Sequence, residues 1–330
     1  MADIRYLVHG VFWDGPAATA ADTSGAARAS GAARTANTAD DAGGPVLRLQ
    51  SPEGYFREFS LTAGSRPGFK VVEPGRFCLG HVRVQSVTSR RHILCGSAAR
   101  ALRGKQCERC FVLDESRLMH DFHRGGRVTP GLWDYLMQEH WLYVATFAGG
   151  ATKVGTASGP RKWNRLAEQG AAVATYVARA QDGRAVRILE DLVTAEAGLT
   201  QQVRSAAKAD ALLQPLPAAA INAVNARAAG QVLALLARTA VDGFQAVEER
   251  WLRPAHADGL YGSQPRHAYP HALDQGQHGF DVAALSGANA LARLDGTNAE
   301  FVVNLSQLAA RTIVLGEYAS EVPAVQESLF

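Results

Sequence analysis

The sequence is poor in cysteine, with four in all, every one of them between Cys78 and Cys110. That confinement excludes a disulfide framework spread through the chain, and in a reducing compartment it points to a metal site. Charge of either sign is also nearly absent in net terms, at +3 over 330 residues, so no overall field marks the chain as a nucleic-acid binder. No apolar run approaches the roughly 18 residues of a membrane span, and the first residues lack the charged and apolar regions of a secretion signal. The protein therefore reads as cytoplasmic, with no membrane partner. Walker, Rossmann, HExxH and GxSxG patterns are missing too. Nucleotide hydrolysis, dehydrogenation, zinc proteolysis and α/β-hydrolase chemistry thus have no motif behind them.

What is present suggests an α+β protein with more than one small core. Residues 1–87 read as an N-terminal β region in which Ile4 to Trp13 and Pro45 to Gln50 are partner strands. Between them, at about 14–44, an Ala-, Gly-, Thr- and Ser-rich stretch without apolar period reads as a disordered insertion. Residues 88–130 hold the cysteine module, and 131–200 have the order β-β-α-β-α. In that core Trp141 to Phe147 and Thr152 to Thr156 are strands joined by a turn at Gly149 and Gly150, residues free to take a positive φ. A helix from Arg161 to Gln169, the strand "AAVATYVARA" and a helix from about Arg184 to Ala197 follow; Val186, Leu189 and Val193 recur there at helical spacing beside Glu190. Residues 201–252 read as helical, with Ile221, Val232, Phe244, Val247 and Trp251 on the buried face. Residues 253–322 read as a loop followed by a small β region, with His256, His267, His271 and His278 in an exposed His- and Pro-rich stretch; 323–330 form a tail.

Two local signals carry chemistry. Between Arg66 and Arg127, thirteen basic residues face five acids, a candidate phosphate-binding surface. Within that span "HILCGSAARALRGKQCERC" sets His92, Cys95, Cys107 and Cys110 at H-x2-C-x11-C-x2-C. Two knuckles supplying two ligands each can close a tetrahedral zinc site, and with all four positions filled by protein the zinc would be structural. Cys78 reads as a core thiol; it, His120 and His123 are the alternatives to His92 as fourth ligand.

The zinc knuckles, then "MHDFHRGG", "LYVATFAGGATKVGTA", "RLAEQGAA" and a helical "LE", resemble the bacterial family catalogued as domain of unknown function 2797. His92 stands where that family usually has a cysteine. The β-β-α-β-α core in turn resembles the GIY-YIG nuclease superfamily. That resemblance implies that Tyr143 is the catalytic tyrosine of the first strand, that Arg165 (with Arg161 the alternative) is the helix arginine, and that Glu190 is the carboxylate for one Mg2+ or Mn2+. Lys153 occupies the position of the second motif's tyrosine. Arginine can hold the charge that builds on phosphorus, and a single carboxylate plus substrate phosphate can suffice for magnesium. Lys153 offers phosphate a point charge but no phenolic hydroxyl, so the resemblance supports phosphate binding more strongly than cleavage.

The sequence ends "QESLF". It resembles the pentapeptide by which bacterial replication and repair proteins bind the DNA sliding clamp, with Gln326 hydrogen-bonding at the rim and Leu329 and Phe330 filling an apolar pocket. The expected function is therefore DNA processing: a metal-dependent endonuclease recruited by the clamp in replication or repair, and nucleoid-associated when bound. The alternatives are a zinc-containing adaptor that binds DNA or RNA without cutting it, and a zinc-stabilised protein-interaction scaffold.

Overall fold

The computed structural model describes residues 4–13, 44–262 and 264–322. The insertion, apart from its last residue, and the tail carrying Gln326, Leu329 and Phe330 lie outside the described residues.

Four strands open the described chain: β1 (Arg5–Trp13), β2 (Pro45–Gln50), β3 (Phe56–Ser60) and β4 (Gly68–Val71). A ribbon of β5 (His81–Val84) and β6 (Arg90–Ile93) precedes the short helices α1 (Glu108–Leu113) and α2 (Pro130–Leu136). Then come β7 (His140–Thr146), β8 (Thr152–Ser158), α3 (Lys162–Gln169), β9 (Val173–Ala180) and α4 (Gly183–Ala197), in the β-β-α-β-α order expected. They lead to α5 (Ser205–Ala211), α6 (Ala218–Leu236) and β10 (Phe244–Trp251). The last six strands are β11 (Arg266–Ala268), β12 (Gly276–Gly279), β13 (Asp281–Ser286), β14 (Asn289–Arg293), β15 (Glu300–Asn304) and β16 (Thr312–Leu315). The architecture is α+β, and most strand pairings are antiparallel.

Local chemistry explains the middle elements. Gly150, at φ +83, turns the chain between β7 and β8, and its N–H donates to the Phe147 carbonyl. Asp182 caps α4 by accepting from the Ala185 N–H at 2.8 Å. The helix expected as far as Leu252 ends earlier, and Phe244–Trp251 is a strand paired with β9. Phe244, Val247 and Trp251 mimic a helical period because the strand's register shifts between Ala246 and Glu249, moving the inward positions by one residue.

The sheet β10-β9-β7-β8 is covered on both faces. Leu142, Val144, Val154 and Val177 pack under Val186, Leu189 and Val193 of α4 and Val232 and Leu235 of α6. The opposite face, with Tyr143, Ala145 and Tyr176, joins Leu166 of α3 and the inner residues Trp13, Leu47, Phe69 and Phe280 in the largest core. Burial on both sides is why the strand sequence runs apolar without alternation. Asn225 of α6 fixes the helix to the sheet, donating to the Val144 carbonyl and accepting from the Thr175 hydroxyl.

The two ends of the described chain share one sheet, in the order β12, β4, β16, β1, β2, β3, with Arg5 opposite Val314. β2 pairs with β1 as expected. In the His-rich stretch, His278 is buried rather than exposed: the Tyr269 hydroxyl lies 2.8 Å from its Nδ1, and its Nε2–H donates to the Gln275 carbonyl. Among the described residues no helix is long and apolar enough to cross a membrane.

His9, on β1, packs edge-on against Phe56 and His92 and donates from Nε2 to the Gln50 carboxamide at 2.9 Å. Burial, only partly offset by the Gln50 hydrogen bond, pushes its pKa from 6.5 down to about 4. Between those values the unfolded chain binds a proton that the folded chain refuses, so stability falls as pH drops through this window. Burial also lowers His140 and His278, with the same sign. Denaturant midpoints should therefore shift downward between pH 7 and pH 5, His9 alone costing on the order of 2 kcal/mol; equal midpoints would show that its burial has no such effect.

Candidate functional site

Four sulfur ligands converge beside the β5–β6 ribbon. The Sγ atoms of Cys78, Cys95, Cys107 and Cys110 all lie within 4.8 Å of one another, and Cys95 Sγ is 3.9 Å from Cys107 Sγ. A tetrahedron with Zn–S bonds of about 2.3 Å has edges of about 3.8 Å, so the spacing and the all-thiol donor set fit structural zinc. Backbone pairing positions the first ligand. The Cys78 N–H donates to the Ala99 carbonyl at 2.8 Å, and the Leu79 N–H to the Lys105 carbonyl at 2.9 Å. The Gly80 N–H then turns onto Cys78 Sγ at 3.3 Å. Gly80 has φ +92, and a Cβ there would stand 2.0 Å from the Ile93 carbonyl, so this knuckle requires glycine.

Cys107 precedes the first turn of α1, which carries Cys110 round to the same side. Burial would raise the Cys95 thiol, but hydrogen bonds from the Ser97 hydroxyl and from the Ala99 and Ser97 backbone hold it at about 6, against an ordinary 9. A thiolate is the form a metal takes.

His92 is not part of the cluster. Its Nε2–H donates to the Leu79 carbonyl at 2.5 Å, and its ring packs on His9. Cys78, the alternative, takes the fourth place, while His123 is bound to Asp191 at 2.9 Å.

A second cluster forms at β8, the edge strand of the four-stranded sheet. Tyr143 stands opposite Gly155, and Ala145 opposite Lys153, so Tyr143 and Lys153 share a face. A Cβ on Gly155 would lie 2.5 Å from Tyr143 Oη and 2.6 Å from its Cζ, so the tyrosine ring occupies the space a side chain would need. Gln169, at the end of α3, donates to Tyr143 Oη at 2.9 Å. Lys153 Nζ sits 5.7 Å from the Tyr143 ring centroid and donates to the Gln201 carbonyl at 3.1 Å.

The structure brings together all four residues that the nuclease resemblance singled out. Burial raises the Tyr143 phenol, while Arg165 and the Gln169 hydrogen bond pull it down and Glu190 adds to the rise. Burial first, then Arg165, depresses Lys153 to about 8, against the pull of Glu190. Glu190 is 4% exposed and paired with Arg187 one turn earlier on α4. Arg165 is exposed and makes no ion pair among the described residues, whereas Arg161 is taken by Glu168 at 2.5 Å.

Sequence reasoning missed two cations here. Lys208 of α5 donates to the Gln169 carbonyl at 2.9 Å, and burial, Lys153 and Arg165 depress it to about 8. Arg187 was legible in principle, three residues before Glu190 on one helix face. Lys208 was not, because tertiary packing alone brings its short helix here. Beyond the Gln201 carbonyl opens a cleft of about 610 Å³, lined by Arg124, Asp191, Thr194, Thr200 and Gln201.

Neither a family model, nor a curated protein, nor a solved structure matches this chain.

Two outcomes follow for these sites. With zinc supplied, Cys78→Ser should lose tightly held metal in elemental analysis while His92→Ala retains it, and the reverse pattern would restore the histidine. Gly155→Ala should destabilise by about 1–3 kcal/mol through overpacking against Tyr143, read as a lowered denaturant midpoint; an unshifted midpoint would mean the ring can move aside.

Proposed function

We propose that this chain is a zinc-stabilised DNA-processing protein whose core holds the phosphodiester backbone at the edge of β8. One observation supports the reading above the rest: Lys153, Arg165, Arg187 and Lys208 act on a single locus whose two named carboxylates are already taken, Glu190 by Arg187 and Glu168, which Arg165 also reaches, by Arg161. Such an excess of positive charge, partly buried, is costly unless an anion completes it. A phosphate group supplies that charge, and arginine and lysine are the residue types that bind it. Zinc on Cys78, Cys95, Cys107 and Cys110 stabilises the neighbouring module, and the residue types resembling those of GIY-YIG nucleases fit the same assignment.

Cleavage is the second reading, favoured by Tyr143 and Glu190 meeting at this locus. Glu190 would hold Mg2+ or Mn2+ after exchanging its Arg187 partner for the metal. Bound there, the ion would polarise the phosphate and activate water. Arg165 would steady the negative charge, and Tyr143 would orient a proton. The sliding clamp remains the proposed partner of Gln326, Leu329 and Phe330, and deleting residues 326–330 should remove clamp binding without affecting DNA affinity.

Anisotropy of a labelled DNA oligonucleotide tests the core reading. Lys153→Ala and Lys208→Ala should each weaken binding and reduce the salt slope by about one, and wild-type affinity should decline above about pH 8 as the two amines lose charge. Unchanged slopes in both variants would overturn the phosphate assignment. Glu190→Gln should leave binding intact and abolish any metal-dependent cutting; cutting that survives would remove Glu190 from the reaction.

A further inference from the structure

The β5–β6 ribbon carries a pairing that costs stability on its own. Arg83 stands directly across from Arg91, with Arg90 beside it opposite Val84. Like charges facing each other across an antiparallel pair destabilise it. All three arginines are exposed, and among the described residues none has a carboxylate within ion-pair distance.

The ribbon is held rigidly in this unfavourable arrangement. Its inner face is buried, with Val84 and Val82 packed against Phe122, Leu132 and Tyr135. Side chains alternate along a strand, so Arg83 and Arg91 project from the opposite face. Both ends are tied to the sulfur cluster, Cys78 three residues before β5 and Cys95 two residues after β6. A metal there would clamp the base of the hairpin. Such an element presents two arginines, side by side on a fixed backbone register, to something outside the chain.

We infer that the β5–β6 ribbon is a duplex-DNA contact surface, with Arg83 and Arg91 its paired anchors; the inference rests on the DNA reading above and adds a second point of contact to it. Charge decides for a polyanion, and shape decides for duplex DNA. The B-form major groove, about 12 Å wide, admits a two-stranded ribbon, whereas the deep, narrow major groove of duplex RNA does not. Two arginines paired across the strands can reach either successive phosphates or a guanine edge.

The test compares wild type, Arg83→Gln/Arg91→Gln, Arg83→Glu and Lys153→Ala/Lys208→Ala by anisotropy on duplex DNA and on duplex RNA of the same sequence, over a range of salt. The double glutamine variant should bind duplex DNA at least about tenfold more weakly, with a salt slope lower by about two, and bind duplex RNA as wild type does. Arg83→Glu should form an ion pair with Arg91, raising the melting temperature while duplex-DNA binding is lost; a ribbon of structural importance only would gain stability and keep its affinity. Unchanged duplex-DNA affinity and slope in both ribbon variants, with the lysine variant weakened, would overturn this inference and spare the core reading. Weakening confined to the ribbon variants would do the opposite. A wild-type protein that binds neither duplex would overturn both.

Discussion

The contact between the Tyr143 ring and the bare backbone of Gly155 governs the rest of the core. Tyrosine can lie flat across the neighbouring strand only where that strand has no side chain, so the register of β7 on β8 is fixed at this pair. A slip by one residue would send Lys153 to the face covered by α4 and α6 and would bring Val154 or Thr156 under the ring, according to its direction. With the register fixed, Gln169 at the end of α3 meets the phenol, and Lys208 meets Gln169 in turn. The cationic locus is thus assembled from four elements around one close approach that glycine alone permits.

Much of this core is legible in the sequence because its determinants are local. The glycine turn, the aspartate cap and the apolar stripe of α4 lie within short windows, and each finds its counterpart in the structure. Sequence fails where determinants are distant or disguised. Cys78 belongs with cysteines reached only after a whole hairpin, so local spacing favours His92, three residues from Cys95; that imidazole is already engaged by Leu79 and His9. β10 imitates a helix because a register shift converts alternation into a spacing of three and four. Lys208 has no sequence neighbour at its site, and only tertiary packing explains it. Tyr143, Lys153, Arg165 and Glu190 were gathered by family resemblance rather than by periodicity, and their meeting at the edge of β8 is the feature that pattern reading alone would not have supplied.

Both charged regions follow the same physical logic. Fixed cations are held by groups that do not neutralise them: backbone carbonyls for Lys153 and Lys208, and a buried apolar face beneath the arginine ribbon. Carbonyl dipoles position an ammonium without cancelling its charge, and hydrophobic packing on one face of a ribbon holds the strands that carry arginines on the other without touching their heads. Rigidity and residual charge are therefore compatible, which an ion pair would not allow. Surface arginines elsewhere, such as Arg5 with Glu73 or Arg48 with Glu58, are matched to carboxylates in the ordinary way.

The sheet shared by β1 and β16 has a temporal meaning. Arg5 lies opposite Val314, and the next pair along sets the fully buried Ile313 opposite Tyr6. During synthesis β1 and β2 emerge before the other described strands, yet the edge of β1 that receives β16 stays open until almost the whole described chain has left the ribosome. Such distant pairing slows folding, and an unpaired strand edge invites association with other chains. Of the described strands, the earliest made is thus among the last whose pairing can be completed, and a chain cut short before Thr312 leaves β1 with an open edge.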